Sequence, residues 1–405
     1  DSVVSNFDKY LNPFLFRNSK ISFSLLFMVV SKSRRNTHSK KWEKYPNQDI
    51  LPLWIADMDF QSPAFLQQAF KQRIDHNTYG YTKVPKALNQ ALIKFYKDKQ
   101  DWLIEDEWIV WVPNLVTAIY AVNQMAVSNS HSLVIPRPIY PPFREAAKHC
   151  QVAHRFVTMK EISGRLSYDF DSLDAYLDRH SWLMLANPCN PGGSVLNQEE
   201  YEKIVTVVQK NDSFLLADEI HSDLILDSGI RFSSLGKDQR IQNKTITLHS
   251  CAKTFNIPGL SCGFAIIPSK KLRKKFSDTI HGIVPDPSLF GIIGTLECLK
   301  KGESWRRSLI KSLQENRDIC VKKLSQIANL EFIVPEATFL IWIKMLHKVP
   351  NGGWGQYFEK YGLGISDGKD FGASQYIRLN FGTNKRNLME ALKRFVLCME
   401  ELNGK

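Results

Sequence analysis

The chain has 405 residues, 43% of them hydrophobic, which is ordinary for a folded enzyme and long enough for a large core beside a smaller one. Its net charge of +12 is scattered among acids, and its densest cluster, Lys270, Lys271, Arg273, Lys274 and Lys275, lacks interleaved aromatics; a wet helix face is expected there, and no nucleic-acid partner. Seven dispersed cysteines without a C-x-x-C pair and ten histidines without ligand spacing speak against a disulfide frame and a metal site, so reduced thiols and a cytoplasmic location are expected.

From Ile21 to Val30 the chain is apolar, but this run has about half of the ~20 residues that a membrane helix needs, so no span is expected. Arg17 and Lys20 precede it in the manner of a signal peptide, yet Lys32 to Arg35 follow where small cleavage-site residues belong. An added strand or helix, or a poorly ordered extension, accounts for it as well. In L-P-L-W-I-A-D-M-D-F, starting at Leu51, Asp57 and Asp59 point to one side if the segment is extended and need partners or a cleft. A turn-rich link, His76 to Tyr81, leads to Ala87–Lys97, whose Leu88, Leu92 and Phe95 recur at helical spacing and read as core.

Trp108–Val112 reads as a strand and Leu115–Val127 as a helix. Free amides opening such a helix can hold a phosphate, although every helix start has them. Leu133–Ile135 then runs into P-I-Y-P-P-F at Pro138, Val152–Val157 is another strand, and Trp182–Ala186 runs into N-P-C-N-P-G-G at Asn187. Asn197–Gln209 reads as a helix with an asparagine cap and acids in its first turn, before F-L-L-A-D-E-I-H at Phe214. Thr245–Leu260 supplies a short buried strand closed by Ser250, Cys251, Ala252 and Lys253, then a turn at Pro258 and Gly259; Gly263–Ile267 is one more apolar strand. This alternation predicts an α/β fold with a largely parallel sheet covered on both faces. After the break at Pro285-Asp286-Pro287 a helical region runs to about Ile327, and Phe332–Val334, Phe339–Met345, Tyr376–Phe381 and a terminal helix make a separate α+β lobe.

Tyr140, Asn190, Asp218 and Lys253 all fall at strand ends, the edge at which α/β sheets bind ligands. A carboxylate closing an apolar strand, as Asp218 does, is costly to bury unless a cation or a protonated group meets it. A pyridinium nitrogen meets that need. A lysine can condense with an aldehyde, Asn190 can bond a phenolate oxygen, Tyr140 can stack on a flat ring, and the amides of Leu115 and Val116 can hold a phosphate. Together these demands describe pyridoxal phosphate. Singly, Tyr140 also reads as packing, Asn190 as a turn residue and His221 as a satisfied neighbour of the site.

Seven motifs stand in order from about Arg35 to the C-terminus: P-L-W-I-A-D-M-D-F at Pro52, G-Y-T at Gly80, P-I-Y-P-P-F at Pro138, N-P-C-N-P at Asn187, A-D-E-I-H-S-D at Ala217, K-T-F-N-I-P-G-L at Lys253 and R-L-N at Arg378. With them the sequence resembles the fold-type I pyridoxal-phosphate enzymes of the aminotransferase class I/II group and, within it, the MalY/PatB-type cystathionine beta-lyases. The resemblance implies a large, mostly parallel-sheet domain plus a smaller α+β domain built from the chain ends. Residues 1–40 are then an atypical extension with about twenty residues inserted from Pro13, 41–80 an N-terminal segment of the small domain, 81–285 the large domain, 286–327 a helical connection and 328–405 the C-terminal small domain.

The resemblance further implies that Lys253 holds the cofactor covalently and later shuttles protons, and that Asp218 keeps the pyridine nitrogen protonated. Asn190 and His221 lie near the ring oxygen, and Tyr140 stacks on the ring. Ser250 with the amides of Leu115 and Val116 binds phosphate, Tyr81 reaches the phosphate of a neighbouring subunit, and Arg378 clamps the substrate carboxylate. A twofold homodimer with sites at its interface follows from the role of Tyr81. The sequence departs from the family at Ala252 for serine, Cys189 for histidine, Ser194 for arginine, Phe339 and Lys344 for tyrosine and aspartate, and Ser374-Gln375 in a stretch that is normally glycine-containing. Asn114 replaces a glycine, a position where asparagine's tolerance of left-handed angles is expected to help. The implied reaction is β-elimination from an S-substituted cysteine, cystathionine above all, to a thiol, pyruvate and ammonia. An aminotransferase with the same cofactor is the alternative, and a cofactor-binding regulator or scaffold the third.

Overall fold

The computed structural model describes residues 29–46 and 48–404. The apolar run from Ile21 lies outside the described residues up to Met28, as does the stretch from Pro13 to Met28 read as inserted.

Strands Ser181–Ala186 and Thr245–His249 are buried at every position, so they have no wet face and belong inside a sheet covered on both sides. The large sheet runs, edge to edge, through Ile109–Val112, Gly263–Ile266, Thr245–His249, Phe214–Asp218, Ser181–Ala186, Ser132–Arg137 and His154–Thr158. The last five are parallel, while Gly263–Ile266 runs against both of its neighbours. Alternate side chains go to opposite faces. Trp182 and Met184 pack with Ile119, Phe143 and Phe276 on one side, and Leu183 and Leu185 with Leu173, Ile204 and Val208 on the other. The α/β class and its largely parallel sheet stand as expected.

A second sheet, all antiparallel, takes Leu330–Ile333, Leu340–Met345, Tyr376–Asn380 and Ser366–Asp367 in that order. Its core is shared by the two ends of the described chain: Leu53, Met58 and Leu66 pack in one cluster with Leu309, Leu379 and Phe395.

The helical stretch before this sheet is two helices, Leu289–Lys301 and Glu303–Leu324. They meet at Gly302, where a Cβ would run into the Phe255 ring. Helix Gln198–Lys210 opens with the asparagine cap that its pattern predicts, and the structure completes it as a capping box, Asn197 and Glu200 exchanging bonds with each other's backbone. Helix Lys270–Ile280 exposes Lys270, Lys271, Lys274 and Lys275. Among the described residues no helix is long and apolar enough to cross a membrane, and no group of three or more His, Cys, Asp or Glu side chains is arranged to hold a metal ion.

Candidate active site

Parallel strands deliver their closing residues to one edge, and there the polar groups singled out in the sequence meet. Asp218 ends its strand, Ser250 follows Thr245–His249, Asn190 follows Ser181–Ala186, and Tyr140 caps helix Pro141–His149. A cavity of about 140 Å³ is lined by Leu115, Val116, Tyr140, Asn190, Asp218, His221, Ser250 and Lys253. Arg378 lines a larger outer cleft of about 970 Å³, which shares Ala56, Tyr140, Lys253 and Pro258 with the inner cavity. Tyr81 lines neither and is fully exposed.

Lys253 sits in the turn after Thr245–His249, and its Nζ donates to the carbonyl of Ala56 at 2.6 Å. Burial disfavours its ammonium form and pulls the pKa down to about 8, against the opposing pull of Asp57. Asp218 is buried and accepts from the Ile220 amide at 3.1 Å. Among the described residues it has no ion pair, and burial pushes its pKa up to about 6. Burial also depresses the pKa of His221, whose Nδ1 has no partner among the described residues.

Asn190 and Arg378 are joined: Nη1 of Arg378 donates to Oδ1 of Asn190 at 2.9 Å, and Nη2 to the carbonyl of Trp54 at 2.8 Å. Phe371 lies under the guanidinium at 4.6 Å. The remaining donor, Nε, is buried without a partner among the described residues. A buried unpaired guanidinium donor is costly, so it marks a place for an anion.

At the opposite end Asn114 caps helix Leu115–Ser128 by accepting from the Thr117 amide at 2.9 Å, which leaves the amides of Leu115 and Val116 to the cavity. Its φ is −161°, so the tolerance of left-handed angles expected there is not used, and capping explains the asparagine instead. Ser250 Oγ donates to the Cys262 carbonyl at 2.6 Å and accepts from the Ala252 amide at 3.1 Å. To serve a phosphate, that hydroxyl has to turn away from Cys262.

Sequence reasoning missed the carbonyls of Trp54 and Ala56, which accept from Arg378 and Lys253. Backbone oxygens carry no side-chain signal, although both stand inside a motif already singled out. The donor set fits pyridoxal phosphate: an amine for the aldehyde, a buried carboxylate with no ion pair among the described residues for the ring nitrogen, a helix start for the phosphate and a guanidinium Nε with no partner among the described residues for a substrate carboxylate.

The sequence profile of the family described as aminotransferase class I and II matches residues 48–395. The cystathionine beta-lyase PatB of Bacillus subtilis (strain 168) is 29% identical over 381 residues, which cover 90% of this chain and 97% of that protein. Among solved structures, OvoB superposes with a TM-score of 0.87 at 34% identity, covering 91% of this chain and 98% of its own. Cystalysin from Treponema denticola, which contains a pyridoxal 5'-phosphate cofactor, superposes with a TM-score of 0.85 at 27% identity, covering 93% and 99%.

Proposed function

Because the chain belongs to the aminotransferase class I and II family, we propose that it is a pyridoxal-phosphate-dependent carbon–sulfur β-lyase that cleaves cystathionine or related S-substituted cysteines to a thiol, pyruvate and ammonia. The observation that carries this reading is the convergence on one cavity of a buried amine with lowered pKa, a buried carboxylate with no ion-pair partner among the described residues and, at the adjoining cleft, a guanidinium whose Nε has no partner among the described residues.

When bound, the cofactor supplies an electron sink for the pair left on Cα. In this reading Asp218 holds the ring nitrogen protonated, and Tyr140 and Asn190 orient the ring. Ser250 and the amides of Leu115 and Val116 anchor the phosphate, and His221 stands with Asn190 near the ring oxygen. Arg378 fixes the substrate carboxylate, which orients the Cα–H bond toward Lys253. The free amine of Lys253, near half-protonated at about pH 8, takes that proton. The Cβ–S bond then breaks, the sulfur leaves as a thiol after protonation, and the released enamine hydrolyses to pyruvate and ammonia. Purified protein supplied with pyridoxal phosphate and L-cystathionine is expected to release pyruvate and free thiol in equal amounts. Keto-acid-dependent amino transfer without pyruvate would overturn the reading.

We also propose a twofold homodimer in which Tyr81 completes the phosphate site of the partner; its full exposure in one chain supports this. Tyr81→Ala and Lys253→Ala proteins, each poorly active at limiting cofactor, are then expected to regain about one quarter of wild-type activity when unfolded together and refolded as mixed dimers. No recovery would mean that each chain completes its own site. The free thiols of Cys150, Cys189, Cys251, Cys262, Cys298 and Cys320 support a reducing compartment such as the cytoplasm.

A further inference from the structure

Residues 53–60 form a strap between the two sheets, tied down through its carbonyls. Asn380 Nδ2 donates to those of Ile55 at 2.6 Å and Asp57 at 2.9 Å, and Asn256 Nδ2 to those of Met58 and Phe60. Arg378 binds the carbonyl of Trp54 and Lys253 that of Ala56. The two carboxylates of the strap find cations in the segment before it. Lys41, itself fully buried, lies 3.0 Å from Asp59, and Arg34 Nη1 lies 2.8 Å from Asp57 Oδ1 while also bonding the Met58 carbonyl at 2.9 Å.

Arg34 Nη1 also reaches Asp59 Oδ1 at 4.0 Å, but the two short pairs differ in place. Lys41 and Asp59 are sealed inside, whereas Arg34 and Asp57 line the outer cleft together with Lys253. Asp57 adjoins the residue whose carbonyl holds the lysine.

We propose that Arg34 and Asp57 are positioning residues that act on Lys253 as a charge couple: the Asp57 carboxylate favours the ammonium form of the lysine, and Arg34 limits that effect by neutralising the carboxylate. The proposal rests on the reading of Lys253 as the base. Among the described residues, the charged or titratable groups that act on or with this amine are Asp57 from the strap, Arg378 from strand Tyr376–Asn380, Asp218 from its strand end, and His221 from the turn that follows. Asp57 is the strongest of the charges, Arg378 opposes it and Asp218 adds weakly to it. Among the described residues only Asp57 of these four has an ion-pair partner, so its charge is the one that a neighbouring side chain adjusts.

The sign follows. Arg34→Gln leaves Asp57 unopposed and raises the Lys253 pKa, whereas Asp57→Asn removes the anion, leaves the Arg34 cation and lowers it, each by roughly one pH unit. The double variant, neutral like the original pair, returns to within about 0.3 unit of the wild type. Arg34→Lys keeps the charge and the wild-type value.

Trace acetylation of the full-length, cofactor-stripped protein across a pH series, with mass spectrometry of the Lys253 peptide, reads this pKa without turnover. Shifts of the same sign in the two single variants, or a double variant that fails to return, overturn the couple and leave only packing of the strap. If Arg34→Gln does not fold, Asp57→Asn and Arg34→Lys decide: a drop in the first with no change in the second supports the couple, and any other pair of results overturns it. Opposite shifts in a protein that makes no pyruvate leave the couple standing and sink the lyase reading instead.

Discussion

Replacing Lys253 by methionine is expected to reduce turnover of cystathionine by more than about 10⁴-fold, because one substitution removes both the covalent anchor of the cofactor and the base at Cα. Methionine keeps the length of the side chain. It leaves the Ala56 carbonyl without its 2.6 Å donor, but it also relieves the burial of an amine whose pKa is already pulled down to about 8. The two effects oppose, so thermal stability is expected to stay within about 1 kcal/mol of wild type, and loss of activity reports chemistry rather than unfolding. The variant is expected to lose the near-visible absorbance of covalently held pyridoxal phosphate and to regain a small part of the rate with added methylamine, which replaces the base but not its position. Retention of more than about one hundredth of the wild-type rate would remove Lys253 from the role of base.

How much of this site was legible in the sequence depends on where its groups sit. Asp218, Ser250 and Asn190 close or follow apolar runs, and in a parallel sheet such residues must come out at one edge; the period of the strands was enough to bring them together. Asp57 and Asp59 announced a need for partners, but their choice of Arg34 and Lys41 among 53 lysines and arginines was not readable, since nothing in local pattern selects a cation across a turn. Helix Ala64–His76 was missed for a similar reason. It buries only Leu66 fully and leans on helix Leu289–Lys301 through the Phe70 and Phe290 rings, so its apolar period is faint. Helix Pro141–His149 was not assigned either, since it begins with two prolines inside a motif, although proline suits a helix's first positions.

Asp218→Asn is expected to separate stability from function. The folded carboxyl has a pKa of about 6 against an ordinary 3.8, so the folded chain binds this proton more tightly than the unfolded chain does. The sign is therefore the reverse of a salt-bridged aspartate: stability from this group is full below about pH 4 and is lost as pH rises from about 4 to 6, an effect on the order of 3 kcal/mol. Asparagine has the same shape and never ionises. The cofactor-free variant is thus expected to match wild type near pH 4 and to melt at a higher temperature at pH 8, where wild type carries a buried carboxylate with no ion pair among the described residues. Activity goes the other way: without an anion to hold the ring nitrogen protonated, turnover falls about 10³-fold. Added pyridoxal phosphate is expected to raise the melting temperature of wild type more than that of the variant, since only the wild-type carboxylate gains a cation. Thermal melts at pH 4 and 8, with and without cofactor, check the three expectations together. A variant less stable than wild type at pH 8 without cofactor would show that the carboxylate is satisfied by its own chain, and the site would then have no electrostatic reason to receive a protonated ring.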